Sequence, residues 1–150
     1  MTREIIKDRD TIEGIIRRAQ VCRIGLCDDG QPYVVPVCFG YADGVLYFHS
    51  APRGRKVEAL RKNDAVCCEF DVDVEIVRNG DACNWSVRYR SAIGFGRASI
   101  VEEPEEKRRA LDTIVAQYGG KPQAYPDDTL RRTTVVKIEI ESLTGKTSGD

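Results

Sequence analysis

The spacing of apolar residues in the first third of the chain predicts one helix followed by strands. Apolar residues recur at helical spacing from Ile12 to Ala19, which predicts a first helix over about residues 10–20 with Asp10 as its N-cap. Alternating apolar and polar positions then predict strands over residues 21–27, 31–40 and 45–50. Asp-Gly turns at residues 29–30 and 43–44 join these strands into an antiparallel meander.

Helical spacing and strand-like alternation of apolar residues continue through the rest of the chain. They predict a second helix over residues 52–62, opened by Pro52, and a third that begins near Glu102 and ends at Gly119. Three more strands are predicted, over residues 65–70, 91–101 and 133–140. Residues 73–90 are harder to interpret: residues 74–77 could extend the strand pairing, and residues 78–81 are typical of a turn. Residues 144–150 are expected to fray. We therefore predict a mainly β single domain over residues 1–150, a six-stranded antiparallel barrel with about three helices.

Composition narrows the classes of partner. The 23 basic and 24 acidic residues among 150 leave a net charge of −1, so we expect no nucleic acid and no membrane as partner. No apolar run approaches the roughly 20 residues that span a bilayer, and the N-terminus is too charged for a signal peptide. We expect a cytoplasmic protein. A single histidine and no C-x-x-C pair predict no metal site.

The segment at the predicted start of the second helix is a candidate anion site. Arg53, Arg55 and Lys56 crowd a helix start, where free backbone N–H groups attract phosphate. Cations at this position oppose the helix dipole, which a bound phosphate would offset. The alternative is a solvated basic turn without a ligand. His49, the only histidine, either lies beside a cofactor as a proton donor or is a half-buried residue at a sheet edge.

Two strands have features that suit a flat ligand. Pro36 interrupts the second strand, which places it at an edge or irregularity whose free backbone groups could bind a ring. The alternative is an edge protected against aggregation. On the fifth strand, small residues alternate on one face from Ala92 to Ala98. That face admits either a ring system or a closely packed neighbouring strand. Arg90 and Ser91 at its start could add contacts to phosphate.

Four stretches occur in an order that resembles a known superfamily: PYVVPVCFGY, VLYFHSAPRGRK, YRSAIGFGRASIVEEPEEKRRAL and VVKIEIESLTGK. The resemblance is to the pyridoxamine 5′-phosphate oxidase-like FMN-binding split-barrel superfamily, in the branch related to nitroimidazole-resistance proteins. It covers residues 10–146 and implies a six-stranded split β-barrel of Greek-key type. It also implies a homodimer with FMN at the interface. The implied cofactor-binding residues are Val35, Pro36 and Val37 along the ring, His49, Ser50 and Ala51 past the flavin, and Arg55, Lys56, Arg90 and Ser91 at the phosphate.

The resemblance implies an FMN-dependent oxidoreductase that passes electrons from a reduced nicotinamide to a small acceptor, for which a nitroaromatic ring is one candidate. His49 is the candidate catalytic residue. The substrate-side arginine and histidine pattern of true pyridoxamine phosphate oxidases is missing, so we do not expect pyridoxal phosphate synthesis. Residues 73–88 match no family pattern, which leaves the substrate open. The alternative is a non-catalytic module that binds or senses flavin, deazaflavin or heme.

Overall fold

A computed structural model describes residues 2–149 of the chain, and it is mainly β with eight strands and four helices. The strands are β1 (Arg3–Ile6), β2 (Cys22–Asp28), β3 (Gln31–Val37), β4 (Gly40–Ala42), β5 (Val45–Ser50), β6 (Ala65–Val77), β7 (Ser86–Ile100) and β8 (Thr134–Ser148). The helices are α1 (Arg9–Arg18), α2 (Arg55–Lys62), α3 (Pro104–Gln117) and α4 (Asp127–Arg132), and a short 3₁₀ turn covers Ala82–Asn84. The predicted class is confirmed.

All strand pairs are antiparallel, and they form one open sheet in the order β3-β2-β6-β7-β8-β5-β4, with β1 paired to β8. Sheet pairing does not join β3 to β4, although only Cys38 and Phe39 separate them along the chain. The two ends of the sheet therefore meet at this connection without closing. This open seam between the first and last strands corresponds to the split of the predicted split barrel.

The number of strands differs from the six predicted. β1 was not predicted, and the predicted strand over residues 31–40 ends at Val37, with β4 following it. The tail was expected to fray, but residues 144–148 belong to β8 and pair with β7, and residues 145–148 also pair with β1. Because β1 and β7 both supply backbone hydrogen bonds to this segment, it does not fray. The local sequence pattern did not reveal these partners. Asp150, the last residue of the predicted tail, lies outside the described residues.

Two helix starts also differ from the predictions. The N-cap of α1 is Asp8, whose carboxylate accepts from the Thr11 N–H at 3.0 Å, while Asp10 lies in the first turn. Pro52 does not open α2, because the helix begins at Arg55 and Gly54 takes the N-cap position. Gly54 has a φ of 148°, a backbone conformation open to glycine and strained for other residues.

The barrel interior holds the main core. Three phenylalanines (Phe39, Phe48 and Phe70) are fully buried there, and α1 buries the apolar stripe that its sequence predicted. Burying such side chains contributes about 1.5–3 kcal/mol each. The small face of β7 also points inward: a Cβ on Gly96 would lie 2.2 Å from the Glu139 carbonyl oxygen of β8. The sequence allowed either a ring system or a closely packed neighbouring strand on this face, and the contacts match the neighbouring strand.

Residues 73–90 extend β6 and β7 into a two-stranded arm, which confirms the predicted extension of pairing over residues 74–77. The pairing shifts by one residue between Val72 and Glu75, and Asp73 in this bulge has a φ of 55°. Before the bulge the odd-numbered residues of β6 face outward; after it, Val74 and Ile76 do, with Ile76 opposite Val87. Arg18 holds the Asp73 carboxylate at 2.8 and 3.0 Å. This ion pair ties the bulge to α1.

Within residues 2–149, no helix combines the length and apolar character needed to cross a bilayer.

Candidate functional site

The start of α2 lies against the β2–β3 hairpin. The Arg55 Nε donates to the Asp28 carboxylate at 2.6 Å, and its guanidinium lies 4.0 Å from the centre of the Tyr33 ring. The hydrogen bond that Arg55 donates to Asp28 raises the pKa of the guanidinium, so the side chain stays charged. Because Tyr33 is on β3, this contact places the helix start beside the strand that the sequence singled out for a ring.

The backbone N–H groups at the start of α2 have no side-chain cap. Gly54 has no side chain to accept from them, so the first turn keeps orphan donors. The partly buried Lys56 makes no ion pair or hydrogen bond with any residue in the range 2–149, and the same holds for the exposed Arg53. Of the three cations predicted to meet a phosphate here, Arg55 already has a carboxylate partner. Lys56 and Arg53 are the cations left for an anion.

The strand predicted to lie along a ring is an edge strand, as Pro36 indicated. β3 occupies one end of the sheet, with β2 on one side and the open seam on the other. Pro36 is exposed, whereas Val35 and Val37 turn toward the interior. A proline here costs no ladder hydrogen bond if its nitrogen faces the seam.

His49, Ser50 and Ala51 lead from the end of β5 toward α2. His49 is exposed and lies opposite Val135 of β8, on the face of β5 that also carries Tyr47. The two residues share a face because side chains two positions apart on a strand point the same way. Ser50 is the last residue of β5, and four residues separate it from Arg55. The short connection keeps this segment at the same end of the sheet as the start of α2.

Arg90 and Ser91 lie elsewhere. Ser91 is opposite Asp71, whereas the α2 end of the sheet is marked by Ala65, which is opposite Arg97. Six residues of strand span about 20 Å, so one phosphate cannot contact both ends within a single chain. Neighbouring residues of a strand face opposite ways, and the Arg90 Nε lies 3.9 Å from Asp73. The predicted pairing of Arg90 with Ser91 on one ligand therefore conflicts with the pleat.

Ser91 lines a groove of about 420 Å³ on the outer face of the sheet. Its floor is apolar, formed by Val74 and Val87 of the arm and by Ile93. The polar lining residues are Glu69, Asp71, Tyr89, Ser91 and Lys146. Sequence reasoning gave Lys146 and Glu69 no role. The alternation of β6 and β8 could have placed both on the outer face, but the groove depends on the bulge at Asp73, which the sequence did not reveal.

Glu69 carries the strongest electrostatic perturbation in this groove. Burial, and then the neighbouring Asp71 carboxylate, raise its pKa to about 6 from an ordinary value of 4.5, against the opposing charge of Arg23. Arg23 lies 3.0 Å from Asp71 and 3.6 Å from Glu69. The carboxyl pair thus shares one cation, and Glu69 is the member that takes up a proton near pH 6.

Solved structures share this fold. A candidate 5-nitroimidazole antibiotic resistance protein from Bacteroides thetaiotaomicron is 39% identical, with a TM-score of 0.87 over 97% of this chain and 87% of that chain. An FAD and heme binding protein from Mycobacterium smegmatis is 20% identical, with a TM-score of 0.87 over 97% of this chain and 74% of its own. An FAD-binding protein from Mesorhizobium loti is 22% identical, with a TM-score of 0.72 over 99% and 100%. At such identities the latter two show the fold alone.

Sequence comparison identifies the family. An uncharacterized protein of Rhizobium meliloti (strain 1021) is 31% identical over 65 residues, which span 43% of this chain and 42% of that relative's length. The family model described as pyridoxamine 5′-phosphate oxidase matches residues 8–147. With nearly the whole chain matched, and a 39% identical structure covering 97% of it, the protein belongs to the pyridoxamine 5′-phosphate oxidase family.

Proposed function

We propose that the protein is a flavoprotein that binds FMN, with the flavin phosphate at the start of α2. The observation that carries this proposal is an uncapped helix start beside Lys56, a cation that has no ion-pair partner among residues 2–149. Phosphate accepts hydrogen bonds from backbone N–H groups at a helix start and is stabilised by the helix dipole. The shared fold with FAD-binding proteins supports a flavin, and the resemblance of the sequence to the FMN-binding split-barrel superfamily supports FMN as its form.

The residues present fit such a group. Arg55 contacts Asp28 and Tyr33 and so fixes the position of the helix start. It is therefore not a free cation for the phosphate. The edge of β3 around Val35, Pro36 and Val37 leaves backbone groups at the open seam for the polar edge of the isoalloxazine. His49, Ser50 and Ala51 approach from β5 on the same end of the sheet.

We further propose a homodimer formed through the outer face of the sheet. Val34 is 62% exposed and Phe95 is 56% exposed, and between them lies a hollow of about 310 Å³ over Gly25 and Cys67. A projecting ring beside a hollow on one face is self-complementary, as a two-fold contact requires. Large exposed apolar side chains that cluster in this way are typical of protein interfaces.

A two-fold contact also accounts for the separated phosphate residues. If the two sheets face each other with their strands reversed, the Ser91 end of one chain meets the α2 end of the other. A flavin held by Lys56 of one protomer would then lie within reach of Ser91 from its partner. This arrangement supports the prediction that the cofactor lies at the dimer interface.

The proposed activity is transfer of electrons from a reduced nicotinamide to a small acceptor such as a nitroaromatic compound. The likeness to the 5-nitroimidazole resistance protein supports this acceptor class. The flavin, when bound, accepts a hydride and passes electrons on. The chain binds its phosphate through Lys56, shields its ring along β3, and offers His49 as a proton donor at the end of β5.

The test begins with the absorbance spectrum of the purified full chain, with and without added FMN, followed by anaerobic titration with NADH and NADPH. We expect flavin maxima and bleaching by one nicotinamide, then reoxidation by a nitroaromatic compound. A protein that stays colourless and does not bind added FMN would rule out the cofactor. A Soret band would favour heme, and a flavin that no nicotinamide reduces would favour a non-catalytic role.

A further inference from the structure

The arm formed by residues 73–90 has no buried face that would fix its strand register. Between residues 73 and 90 no side chain is fully buried. Val74 is 60% exposed and Ile76 57% exposed on the outer face, and Glu75 is exposed on the other. Register is strongly specified only where one face of a sheet is buried, and a two-stranded ribbon alone is marginally stable. Contacts outside the ribbon therefore decide how its strands pair.

The register of the arm shifts at the bulge around Asp73. Val72 lies opposite Arg90. Three residues further along β6, but only two along β7, Glu75 lies opposite Arg88. Asp73 has a φ of 55°, in the left-handed region where one common type of bulge has a glycine. An aspartate adopts this conformation at a cost in free energy, so the bulge needs a compensating contact.

Arg18 supplies this contact from outside the arm. Its guanidinium donates to both carboxylate oxygens of Asp73, at 2.8 and 3.0 Å, and these hydrogen bonds lower the pKa of Asp73. The Arg90 Nε, on the arm itself, is more distant at 3.9 Å. Arg18 is the last residue of α1, and Gln117 of α3 donates to three carbonyl oxygens at this helix end, 3.0 to 3.3 Å away. The bulge is thus bound to the body of the barrel.

A slip of β6 by one residue would remove the bulge and exchange the two faces of the arm. Asp73 and Glu75 would then face outward, in line with Asp71. Val74 and Ile76 would face the opposite side. Residues 78–85, which connect the two strands, can take up the displaced residue. The slip would therefore replace an apolar outer face by an acidic one.

We propose that Arg18 is a positioning residue: through Asp73 it fixes the register of the arm, and so decides whether this border of the outer groove is apolar or acidic. Val74 lines the groove in the present register, and an acidic residue would replace it after the slip. The inference rests on the proposed function, because an electron acceptor has to pass this border to reach the flavin. A negatively charged acceptor would be repelled by the slipped border.

The first test uses NMR of the flavin-free full chain and does not depend on the cofactor. Backbone proton contacts between Ile76 and Val87 report the present register, and contacts between Glu75 and Val87 report the slipped one. Amide hydrogen exchange reports how firmly the arm is held. The variants are Arg18→Ala, Asp73→Gly and the two combined. Arg17→Ala is the matched control, since this neighbouring arginine pairs with Glu13 on its own helix.

We expect Arg18→Ala to speed amide exchange in the arm about fivefold or more and to give contacts between Glu75 and Val87. Asp73→Gly, alone or combined with Arg18→Ala, should keep the present register, because glycine adopts a positive φ without strain. Arg17→Ala should behave as wild type. Urea unfolding of the whole chain should hardly change in any variant, since an exposed ion pair contributes little to global stability.

The second test measures acceptor selectivity with FMN-loaded protein and the nicotinamide that reduces it. The ratio of kcat/KM for 4-nitrobenzoate to that for nitrobenzene should fall about fivefold in Arg18→Ala, through a higher KM for the anion. Adding Asp73→Gly should restore the ratio, which a general loss of stability would not do.

An Arg18→Ala variant that keeps the contacts of Ile76 with Val87 and the exchange rates of wild type would overturn the proposal. Failure of Asp73→Gly to restore the register would do the same. A slipped register with an unchanged acceptor ratio would overturn the role in selectivity. A protein that binds no flavin would instead refute the proposed function, and the NMR test of Arg18 would still decide how the arm is held.

Discussion

The two faces of β7 follow opposite rules. Its inner face carries Ala92, Gly94, Gly96 and Ala98, all buried, and a side chain on Gly96 would collide with the backbone of β8. Its outer face carries Ile93 and Phe95, which are 37% and 56% exposed. The usual order, with large apolar residues inside and small or polar ones outside, is reversed here. The small residues of the inner face allow β7 and β8 to pack closely. The apolar residues of the outer face remain exposed, so they are available to contact a ligand or another protein.

The difference teaches which residues to assign to the fold and which to function. A small-residue strand looks like a ligand platform in sequence, but the contacts of Gly94 and Gly96 are with Leu143, Ile140 and Glu139 of β8. Within the described part of the chain, the exposed apolar residues beside the groove have no such partner. If this division is right, inner substitutions should lower stability and outer ones should change binding alone.

The largest expected effect is that of Gly96→Ala. The added Cβ would lie 2.2 Å from the Glu139 carbonyl oxygen, so the backbone of β7 or β8 must move. We expect a loss of about 3 kcal/mol or more in the free energy of unfolding, the upper end of overpacking costs. Urea unfolding measures it.

Gly14→Ala is the control for this substitution. A Cβ at this helical position meets nothing within 4 Å, so the substitution should stabilise the protein by about 0.5–1 kcal/mol. If Gly96→Ala unfolded at the wild-type urea concentration, the close β7–β8 contact would be refuted.

Lys56→Ala should weaken FMN binding by about 1.5–3 kcal/mol, through loss of a charge-assisted hydrogen bond to phosphate. Riboflavin, which lacks the phosphate, is the matched ligand and should bind equally to wild type and variant. Unfolding should be unchanged, because Lys56 has no partner in the described part of the chain. Equal loss for riboflavin and FMN would place the phosphate away from α2.

Phe95→Ser tests the outer face as an interface. The substitution removes two rings from a two-fold contact, and at about 1 kcal/mol each their loss totals about 2 kcal/mol, so the dimer should dissociate at roughly thirtyfold higher concentration. Sedimentation equilibrium measures this shift. The protomer should keep its stability, since the ring is 56% exposed. A wild type that is monomeric at every concentration would contradict the proposed dimer.

The smallest effect is the pH dependence due to Glu69. Burial and Asp71 raise its pKa to about 6 from 4.5, so the folded state binds the proton more tightly than the unfolded state. The contribution of Glu69 to the free energy of unfolding is therefore fully present below pH 4.5 and is lost as the pH rises through 6. Glu69→Gln removes the loss, and its advantage over wild type should grow between pH 4.5 and 7 to less than about 1 kcal/mol, as measured by urea unfolding. A difference that is constant with pH would contradict the assignment.

Local patterns predicted much of the fold, and the missing parts depended on distant contacts. The helical stripe of α1 and the alternation of β2, β5 and β7 follow from spacing alone. β1 is short and largely exposed, and its pairing with the C-terminal half of β8 has no local signal. Pro36 correctly marked an edge, because a proline restricts its own strand wherever that strand lies.

The site was predictable in its parts but not in its arrangement. The basic turn before α2 is visible in the sequence, yet the pairing of Arg55 with Asp28 joins residues 27 positions apart. Arg90 and Ser91 looked like one unit because they are adjacent, and the pleat sends them to opposite faces. Lys146 gained its neighbour Ser91 only through the register of β7 with β8.

The bulge at Asp73 makes the outer surface depend on the length of the chain. One extra residue on β6 turns Val74 and Ile76 toward Val87, on the face that continues to Ile93. Deleting one residue there would restore even pairing and send both side chains to the opposite face. Insertions and deletions at this point, more than substitutions, would therefore give relatives with the same barrel a different groove, and with it a different ligand.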